Sequence, residues 1–181
     1  MRSPVPSASS ARRGSTPANG LAANGWSLFA HPLLLDQIER LTGAVEGEKR
    51  KAASLGTISA NAKLLAALYN LIFVQVPQDP AREIHRQGTT LGKAHTHWFR
   101  AKFGNGRFRL FFRFDLRAKI IVYAWVNDGT SLRTRGSRTD AYAVFADMLR
   151  SGNPPDAWAQ LLEAARSGSE QLAEFRVPRT E

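Results

Sequence analysis

Residues 98–115, WFRAKFGNGRFRLFFRFD, decide the fold class of this chain. The dipeptide Asn105-Gly106 favours a type I′ turn, which needs positive φ at both central residues and joins two antiparallel strands. A two-residue loop at this point pairs Lys102 with Arg109 and Arg100 with Phe111, so the segment is predicted to form a β-hairpin.

Side chains alternate between the two faces of a strand, and this register sorts them by chemistry. The predicted apolar face carries Phe99, Ala101, Phe103, Phe108, Leu110, Phe112 and Phe114. The opposite face, called the basic face below, carries Trp98, Arg100, Lys102, Arg107, Arg109, Phe111 and Arg113. A three-residue loop would mix the two sets. We therefore expect helices to cover the apolar face and the basic face to stay uncovered.

The flanking segments predict the remaining elements. A third strand is expected over residues 119–127, and apolar residues at helical spacing predict a first helix from Pro32 that is interrupted near Gly47. A second helix is expected from about Ser59, with Val76-Pro77 and Asp79-Pro80 as its stop signals, and two more follow the strands. The sequence thus predicts an α+β fold, in which an N-terminal helical hairpin packs on a small antiparallel sheet with C-terminal helices.

Composition divides the chain and excludes several classes of protein. Residues 1–23 are predicted to be a disordered basic tail, 24–166 a single domain and 167–181 a C-terminal tail. The chain has no Cys, which removes disulfides and thiolate zinc sites. No apolar run is long enough to span a membrane and no leader is expected, so we expect a cytoplasmic protein.

The formal net charge of +10 is concentrated in one part of the chain. Residues 82–138 carry 13 Lys and Arg against three acids, whereas the rest carries 12 basic and 12 acidic residues. A local excess of this kind indicates a surface for a polyanion. Because no long basic helix is available for a DNA groove, single-stranded RNA is favoured. The predicted RNA-binding residues are Trp98, Arg107, Phe111, Arg113, Arg135 and Arg138.

Attack by the 2′-hydroxyl group of RNA on its own phosphate needs proton transfer and cations, but no cofactor. Arg109 and Arg133 are candidates for stabilising the phosphate, and Lys102 or Arg100 for holding substrate and withdrawing a proton. Tyr142 is a candidate for a place beside the phosphate, or for a place in the core.

Other polar residues are weaker candidates. His95 and His97 are expected to have neither a Cys nor a carboxylate nearby, so no metal site is expected. His97 stays open as a general base, although strand alternation would turn it away from Arg100. His31 is expected at the start of a helix. Asp128 is expected to form a turn and an ion pair, and a role as a base stays open for it.

Longer motifs resemble those of the YhaV family of type II toxin–antitoxin toxins, within the RelE-like ribonuclease superfamily. The resemblance covers roughly residues 26–158 and rests on three groups of motifs. The first is Asn24-Gly25-Trp26 with Ala30-His31-Pro32, and the second is Trp98 with Lys102-Phe103-Gly104 and Gly106-Arg107-Phe108-Arg109-Leu110-Phe111-Phe112-Arg113-Phe114. The third is Trp125-Val126-Asn127-Asp128, Leu132-Arg133-Thr134, Thr139-Asp140-Ala141-Tyr142 and Pro154-Pro155 before Trp158.

The resemblance implies a toxin that cleaves mRNA without a metal, often on translating ribosomes. It also implies a PrlF-type antitoxin with an AbrB-like domain, and operator DNA bound only through the toxin–antitoxin complex. Its site positions fall on Arg100, Lys102, Arg109, Arg133 or Arg135, and Tyr142. The sequence departs from the family pattern in having Arg100 where a Lys is usual, Phe108 where a Tyr is common, and Arg135 where an aromatic residue is frequent. The alternative is a non-catalytic module that binds RNA or the ribosome and inhibits translation by occupancy.

Overall fold

A computed structural model describes residues 20–51 and 58–177 of the chain. Its centre is a mixed five-stranded sheet in the order β1-β2-β5-β4-β3. The strands are β1 Leu21–Ala23, β2 Trp26–Ala30, β3 Phe99–Phe103, β4 Phe108–Asp115 and β5 Ile120–Val126. Strand β2 runs parallel to β5, and the other neighbouring pairs are antiparallel. The α+β fold class expected from the sequence is confirmed.

Helices occupy the segments before β3 and after β5. They are α1 Pro32–Lys51, α2 Ala60–Asn70, α3 Val76–Gln78, α4 Ala141–Ser151, α5 Trp158–Arg166 and α6 Ser169–Arg176. A π-helical turn, Leu71–Gln75, joins α2 to α3, and 3₁₀ turns form at Glu83–His85 and Lys93–His95. No helix in the described ranges is long and apolar enough to cross a membrane.

The first helix begins at Pro32, as predicted, but the expected interruption near Gly47 is wrong. A glycine inside a helix costs only about 1 kcal/mol, and Glu48, Lys49 and Arg50 are good helix formers. The second helix begins after Ser59, whose hydroxyl accepts a hydrogen bond from the backbone N–H of Ala62. The helical segment continues through Val76-Pro77 and ends before Asp79, which is extended, so the second predicted stop, Asp79-Pro80, is confirmed.

Helices α1 and α2 contact each other through Asn61, whose Nδ2 atom donates to Glu48 Oε1 at 2.7 Å. Residues 52–57 between them lie outside the described ranges, so the predicted helical hairpin stays a prediction.

The predicted register of the β3–β4 hairpin is confirmed. Lys102 pairs with Arg109 and Arg100 with Phe111, and the turn residues Asn105 and Gly106 have φ of 56° and 77°. The apolar face of the hairpin packs against α1, α2 and α6 in one core cluster. This outcome follows from the alternation of the side chains, since a shift of one residue would turn the cations toward α1, α2 and α6 instead.

The prediction that the basic face is uncovered is wrong. Helices α4 and α5 pack on it through a second core cluster that contains Phe145, Leu149 and Leu161. Phe111 stacks on Phe145 with ring centroids 4.2 Å apart, and Trp98 meets the same ring edge-on at 5.0 Å. Burying large aromatic side chains stabilises a fold, and leaving them exposed as a surface for a ligand would forgo that free energy. The sheet is therefore covered on both sides.

The ordered chain extends further at both ends than predicted. Strands β1 and β2 form an antiparallel pair, and β1 lies within the predicted N-terminal tail. The predicted C-terminal tail contains α6, whose Leu172 is fully buried in the first core cluster. Both elements are too short to show a clear period in the sequence. Residues 1–19 of the predicted disordered tail lie outside the described ranges.

Candidate active site

Four of the five predicted catalytic residues meet between the sheet and α4. Arg100 lies on β3, Arg109 on β4, Arg133 in the loop after β5 and Tyr142 in the first turn of α4. We call these four residues the arginine–tyrosine cluster. They are separated by up to 42 residues in sequence, and the hairpin register and the packing of α4 on the sheet bring them together.

Arg100 is held by two hydrogen bonds. Its Nε atom donates to the phenol oxygen of Tyr142 at 2.9 Å, and its Nη1 atom donates to the backbone carbonyl of Ile84. The side chain is buried, so the guanidinium group is fixed under the tyrosine and is not displayed on the surface. A charge-assisted hydrogen bond of this kind favours the phenol oxygen as an acceptor and fixes its orientation.

Arg109 is the most buried of the cations. Its Nη1 atom donates to the carbonyl of Gly106 at 2.8 Å, and its guanidinium carbon lies 5.4 Å from the centre of the Tyr142 ring. The Nε atom is buried and makes no hydrogen bond within the described chain. A buried donor of a charged group without a hydrogen-bond partner lowers the free energy of unfolding. Such unpaired donors are found at functional sites, where a ligand can pair with them.

Arg133 lies against the same ring from the loop after β5. Its guanidinium carbon is 5.0 Å from the centre of the Tyr142 ring, and its Nη1 atom donates to Asp140 Oδ2. Asp140 also caps α4, because its Oδ1 atom accepts from the backbone N–H of Tyr142 at 2.9 Å. Burial acts to raise the pKa of Asp140, but the hydrogen bonds from Arg133, Tyr142 and Thr134 outweigh it, and the pKa lies below its ordinary value.

The charges in the cluster do not balance. Three guanidinium groups meet at Tyr142, and the described residues supply one ion-paired carboxylate, that of Asp140 with Arg133. A phosphate group would compensate the remaining positive charge, because guanidinium groups match phosphate oxygens in geometry and charge. The cluster is thus suited to an anionic ligand whose charge increases during a reaction.

Lys102, the fifth predicted catalytic residue, lies directly opposite Arg109 in the hairpin and is exposed. Arg107, Arg135 and Arg138 are also exposed, as expected of RNA-binding residues. Lys102 lies on β3 and Arg107 in the hairpin turn, and Arg135 and Arg138 lie in the loop before α4 that also carries Arg133. Their position leaves the charge of their side chains available to a ligand.

The remaining predicted RNA-binding residues are placed differently from expectation. Trp98 and Phe111 are fully buried and cannot stack on bases, because α4 covers them. Arg113 lies between two rings, with its guanidinium carbon 5.7 Å from the centre of Trp98 and 5.3 Å from that of Trp158. Its Nη1 atom donates to the backbone carbonyl of Asp156, so it serves packing in this structure.

The expectation that His95 and His97 lack a nearby carboxylate is wrong. Asp156, which follows α4 in the chain, lies 2.8 Å from His97 Nε2 and 3.3 Å from His95 Nδ1. Strand β3 begins only at Phe99, so strand alternation does not determine where His97 points. The observed partner of His97 is Asp156, which does not belong to the arginine–tyrosine cluster.

The position of His31 at the start of a helix and the turn at Asp128 are confirmed. His31 lies at the start of α1, where its Nδ1 atom accepts from the backbone N–H of Leu33 at 3.2 Å. Asp128 forms a turn through hydrogen bonds from Thr130 and Ser131. Burial acts to raise the pKa of Asp128, but these hydrogen bonds outweigh it and the pKa is lowered.

Sequence reasoning missed the role of Asn127. This residue is buried at the end of β5, and its Oδ1 atom accepts from the backbone N–H of Arg109 at 2.5 Å. Its Nδ2 atom donates to the carbonyls of Arg107 and Ser131, at 3.0 Å each. Asn127 thus joins β4 to the loop that carries Arg133. A polar residue directly after an apolar strand was the available signal.

Comparison with known proteins identifies relatives over most of the chain. A family model described as a toxin with endonuclease activity, of a toxin–antitoxin system, matches residues 28–166. Toxin YhaV of Escherichia coli O6:H1 is 40% identical over 141 residues, which cover 77% of this chain and 92% of that protein. Ribonuclease toxin YhaV of Escherichia coli K12 is 41% identical over 139 residues, which cover 76% of this chain and 90% of that protein.

No solved structure matches the chain significantly. The family match includes all four residues of the arginine–tyrosine cluster together with Lys102 and Asn127. On the extent of this match and on the identity to both relatives, the chain belongs to the YhaV family of toxins with endonuclease activity in toxin–antitoxin systems.

Proposed function

We propose that this toxin is an endoribonuclease that cleaves mRNA at the arginine–tyrosine cluster and thereby inhibits translation and growth. The observation that carries the proposal is the meeting of three guanidinium groups and one phenol with a single ion-paired carboxylate. The name of the related ribonuclease toxin from Escherichia coli K12 supports RNA as the substrate.

The reaction that suits these residues is attack by a 2′-oxygen on the adjacent phosphorus. The bond from phosphorus to the 5′-oxygen breaks, leaving a 2′,3′-cyclic phosphate and a 5′-hydroxyl group. The proton of the 2′-hydroxyl group must be accepted, and the departing 5′-oxygen must receive a proton. Negative charge grows on the phosphate oxygens between these two transfers, and fixed cations lower the energy of that state.

Arg109 and Arg133 are assigned to the phosphate oxygens in this proposal. Both lie against Tyr142, and Arg133 is the more accessible, with 23% of its side chain exposed. Each such donor is typically worth a factor of about 10²–10³ in rate. Asp140 is a positioning residue, because it orients Arg133 and caps the helix that carries Tyr142.

Tyr142 is assigned as the donor to the departing 5′-oxygen. Its oxygen accepts a hydrogen bond from Arg100, so its own proton is left to donate, and the same cation stabilises the phenolate that results. Arg100 is therefore a positioning residue for Tyr142. A lysine amine, unlike a guanidinium group, can give its proton to water and then accept another, so Lys102, opposite Arg109, is assigned as the proton acceptor.

The proposed reaction uses no metal and no cofactor, since the side chains supply the proton transfers and the charge. The exposed residues Arg107, Arg135 and Arg138 are proposed to hold the RNA backbone around the cluster. The enzyme would act in the cytoplasm, with mRNA on translating ribosomes as one setting.

A toxin of a toxin–antitoxin system has an antitoxin as its partner. We propose a PrlF-type antitoxin with an AbrB-like domain, whose acidic segment competes with RNA for the excess charge of residues 82–138. Operator DNA would be bound only through the complex of the two proteins.

The test is cleavage of a transcript by the full chain in EDTA, with and without translating ribosomes, followed by analysis of the new ends. The proposal expects 2′,3′-cyclic phosphate and 5′-hydroxyl ends, and no cleavage of the same transcript carrying 2′-O-methyl groups. Cleavage of the methylated transcript at an equal rate would contradict 2′-oxygen attack. Binding without cleavage under all these conditions would favour a module that inhibits translation by occupancy.

A further inference from the structure

We propose that His95, His97 and Asp156 form a binding site for a divalent transition-metal ion of the zinc class, separate from the arginine–tyrosine cluster. The ligand atoms are His95 Nδ1, His97 Nε2 and a carboxylate oxygen of Asp156, and all three lie within 4.8 Å of one another. Two imidazoles and one carboxylate are a common ligand set for zinc, with water in the fourth position.

The separations are close to those that a bound ion requires. Ligands about 2.0–2.2 Å from a tetrahedral zinc ion lie roughly 3.3 Å apart. The oxygen of Asp156 is 2.8 Å from His97 Nε2 and 3.3 Å from His95 Nδ1. The two imidazoles are partly exposed, at 20% and 36% of their side-chain area, so small rotations can bring their nitrogen atoms closer together.

The carboxylate is already oriented toward the imidazoles. The indole Nε1 atom of Trp98 donates to Asp156 Oδ1 at 2.7 Å, and Trp98 is itself fully buried. Hydrogen bonds to a ligating carboxylate fix its direction and commonly strengthen metal binding. Arg113 donates to the backbone carbonyl of Asp156, which holds the backbone of this residue beside Trp98.

A bound ion would connect two segments that are distant in sequence. His95 ends the 3₁₀ turn Lys93–His95 before β3, and Asp156 lies in the connection between α4 and α5. Metal binding at this point would hold α5 against the sheet beside Trp98 and Arg113. The ion is thus assigned a stabilising role, and the proposal does not depend on the cleavage mechanism.

The experiment is titration of the untagged full chain with zinc chloride, followed by calorimetry and by the ¹⁵N resonances of the imidazoles. We expect one equivalent to bind and to shift the resonances of His95 and His97, while those of His31 and His85, which are buried elsewhere, stay unchanged. A zinc-dependent rise in melting temperature should accompany binding, because the ion binds the folded state.

Variants separate this site from adventitious binding. Asp156→Ala should weaken zinc binding at least tenfold, and Trp98→Phe should weaken it about 10–100-fold through the lost hydrogen bond. Asp147→Ala removes an exposed carboxylate on α4 and should bind zinc as the unchanged chain does. Unshifted resonances of His95 and His97 at one equivalent, or equal affinity in Asp156→Ala, would overturn the proposal.

Discussion

The Nε atom of Arg100 donates a hydrogen bond of 2.9 Å to the phenol oxygen of Tyr142. This contact joins β3, the first strand of the β3–β4 hairpin, to α4, the helix that packs on the basic face of the hairpin. It fixes the phenol oxygen beside two further guanidinium groups, those of Arg109 and Arg133. The chemistry that we propose for this toxin depends on that placement.

Tyr142→Phe should lower the rate of RNA cleavage by a factor of about 10²–10⁴, the usual contribution of a general acid. The ring remains to pack against Phe111, so circular dichroism should show a folded protein. The measurement is single-turnover cleavage of a labelled transcript. Tyr69→Phe is the matched control, because it removes a phenol that donates to the carbonyl of Arg176, in the layer of α2 and α6. Equal rates in the two variants would contradict the assignment of Tyr142.

Asp140→Asn should change how stability depends on pH. The carboxylate has a lowered pKa in the folded protein because its hydrogen bonds from Arg133, Tyr142 and Thr134 outweigh the effect of burial. Its contribution to stability is present above the unfolded pKa of about 3.9 and is lost as pH falls through the lower folded pKa. The difference in unfolding free energy between the unchanged chain and the variant should therefore be constant above about pH 5 and shrink below pH 4. Urea denaturation between pH 7 and pH 2.5 measures it, and a constant difference throughout would refute this role.

Asn127→Ala should lower the unfolding free energy by about 3 kcal/mol, since it leaves the backbone N–H of Arg109 without its partner in a buried position. The carbonyls of Arg107 and Ser131 lose a donor at the same time. Urea denaturation at pH 7 gives the value. The control Asn70→Ala, at the exposed end of α2, should stay within about 0.5 kcal/mol of the unchanged chain. A similar small effect for Asn127→Ala would be inconsistent with its place in the site.

Arg135→Ala and Arg138→Ala should each weaken RNA binding in a salt-dependent way. For single strands, the slope of log affinity against log salt changes by about 0.7 for each phosphate contact that is lost. Fluorescence anisotropy of a labelled RNA over a range of salt concentrations measures this slope. Lys63→Ala on α2 removes an exposed cation from the layer on the other side of the sheet and should leave the slope unchanged. Unaltered slopes in both arginine variants would place the RNA elsewhere.

Local patterns in the sequence were sufficient to predict the β3–β4 hairpin. The turn signal of Asn105-Gly106 and the alternation of side chains fix one register, and the structure has that register. The start of the second helix near Ser59 and that of α1 at Pro32 were predicted in the same way, because helix ends depend on a few neighbouring residues.

Long-range packing was not accessible to the same reasoning. Trp98 and Phe111 lie among cations in the sequence, and only the docking of α4 shows that they belong to a second core. Asp156 approaches His95 and His97 from more than 50 residues away, through the same packing. The parallel pairing of β2 with β5 likewise has no local signal, since it joins segments about 90 residues apart.

The residues of the candidate site were predicted from the sequence, but the packing around them was not. The motif resemblance and the excess of cations pointed to Arg100, Arg109, Arg133 and Tyr142, and the structure brings these four together. The burial of Arg100 and Arg109 was not predicted, because alternation assigns a face but does not show what covers it. The roles of Asn127 and Asp140 as residues that hold the site in place also depend on contacts between distant segments.

The central claim is that the arginine–tyrosine cluster performs cleavage, and the variant Arg109→Ala tests it most directly. Single-turnover cleavage and RNA affinity should be measured together, with Arg40→Ala, an exposed arginine on α1, as the matched control and Arg109→Lys as the variant that keeps the charge. The account predicts a loss of about 10²–10³-fold in the cleavage rate of Arg109→Ala with only a small change in affinity, and intermediate activity in Arg109→Lys. Folded Arg109→Ala protein that cleaves RNA as fast as Arg40→Ala would contradict the account.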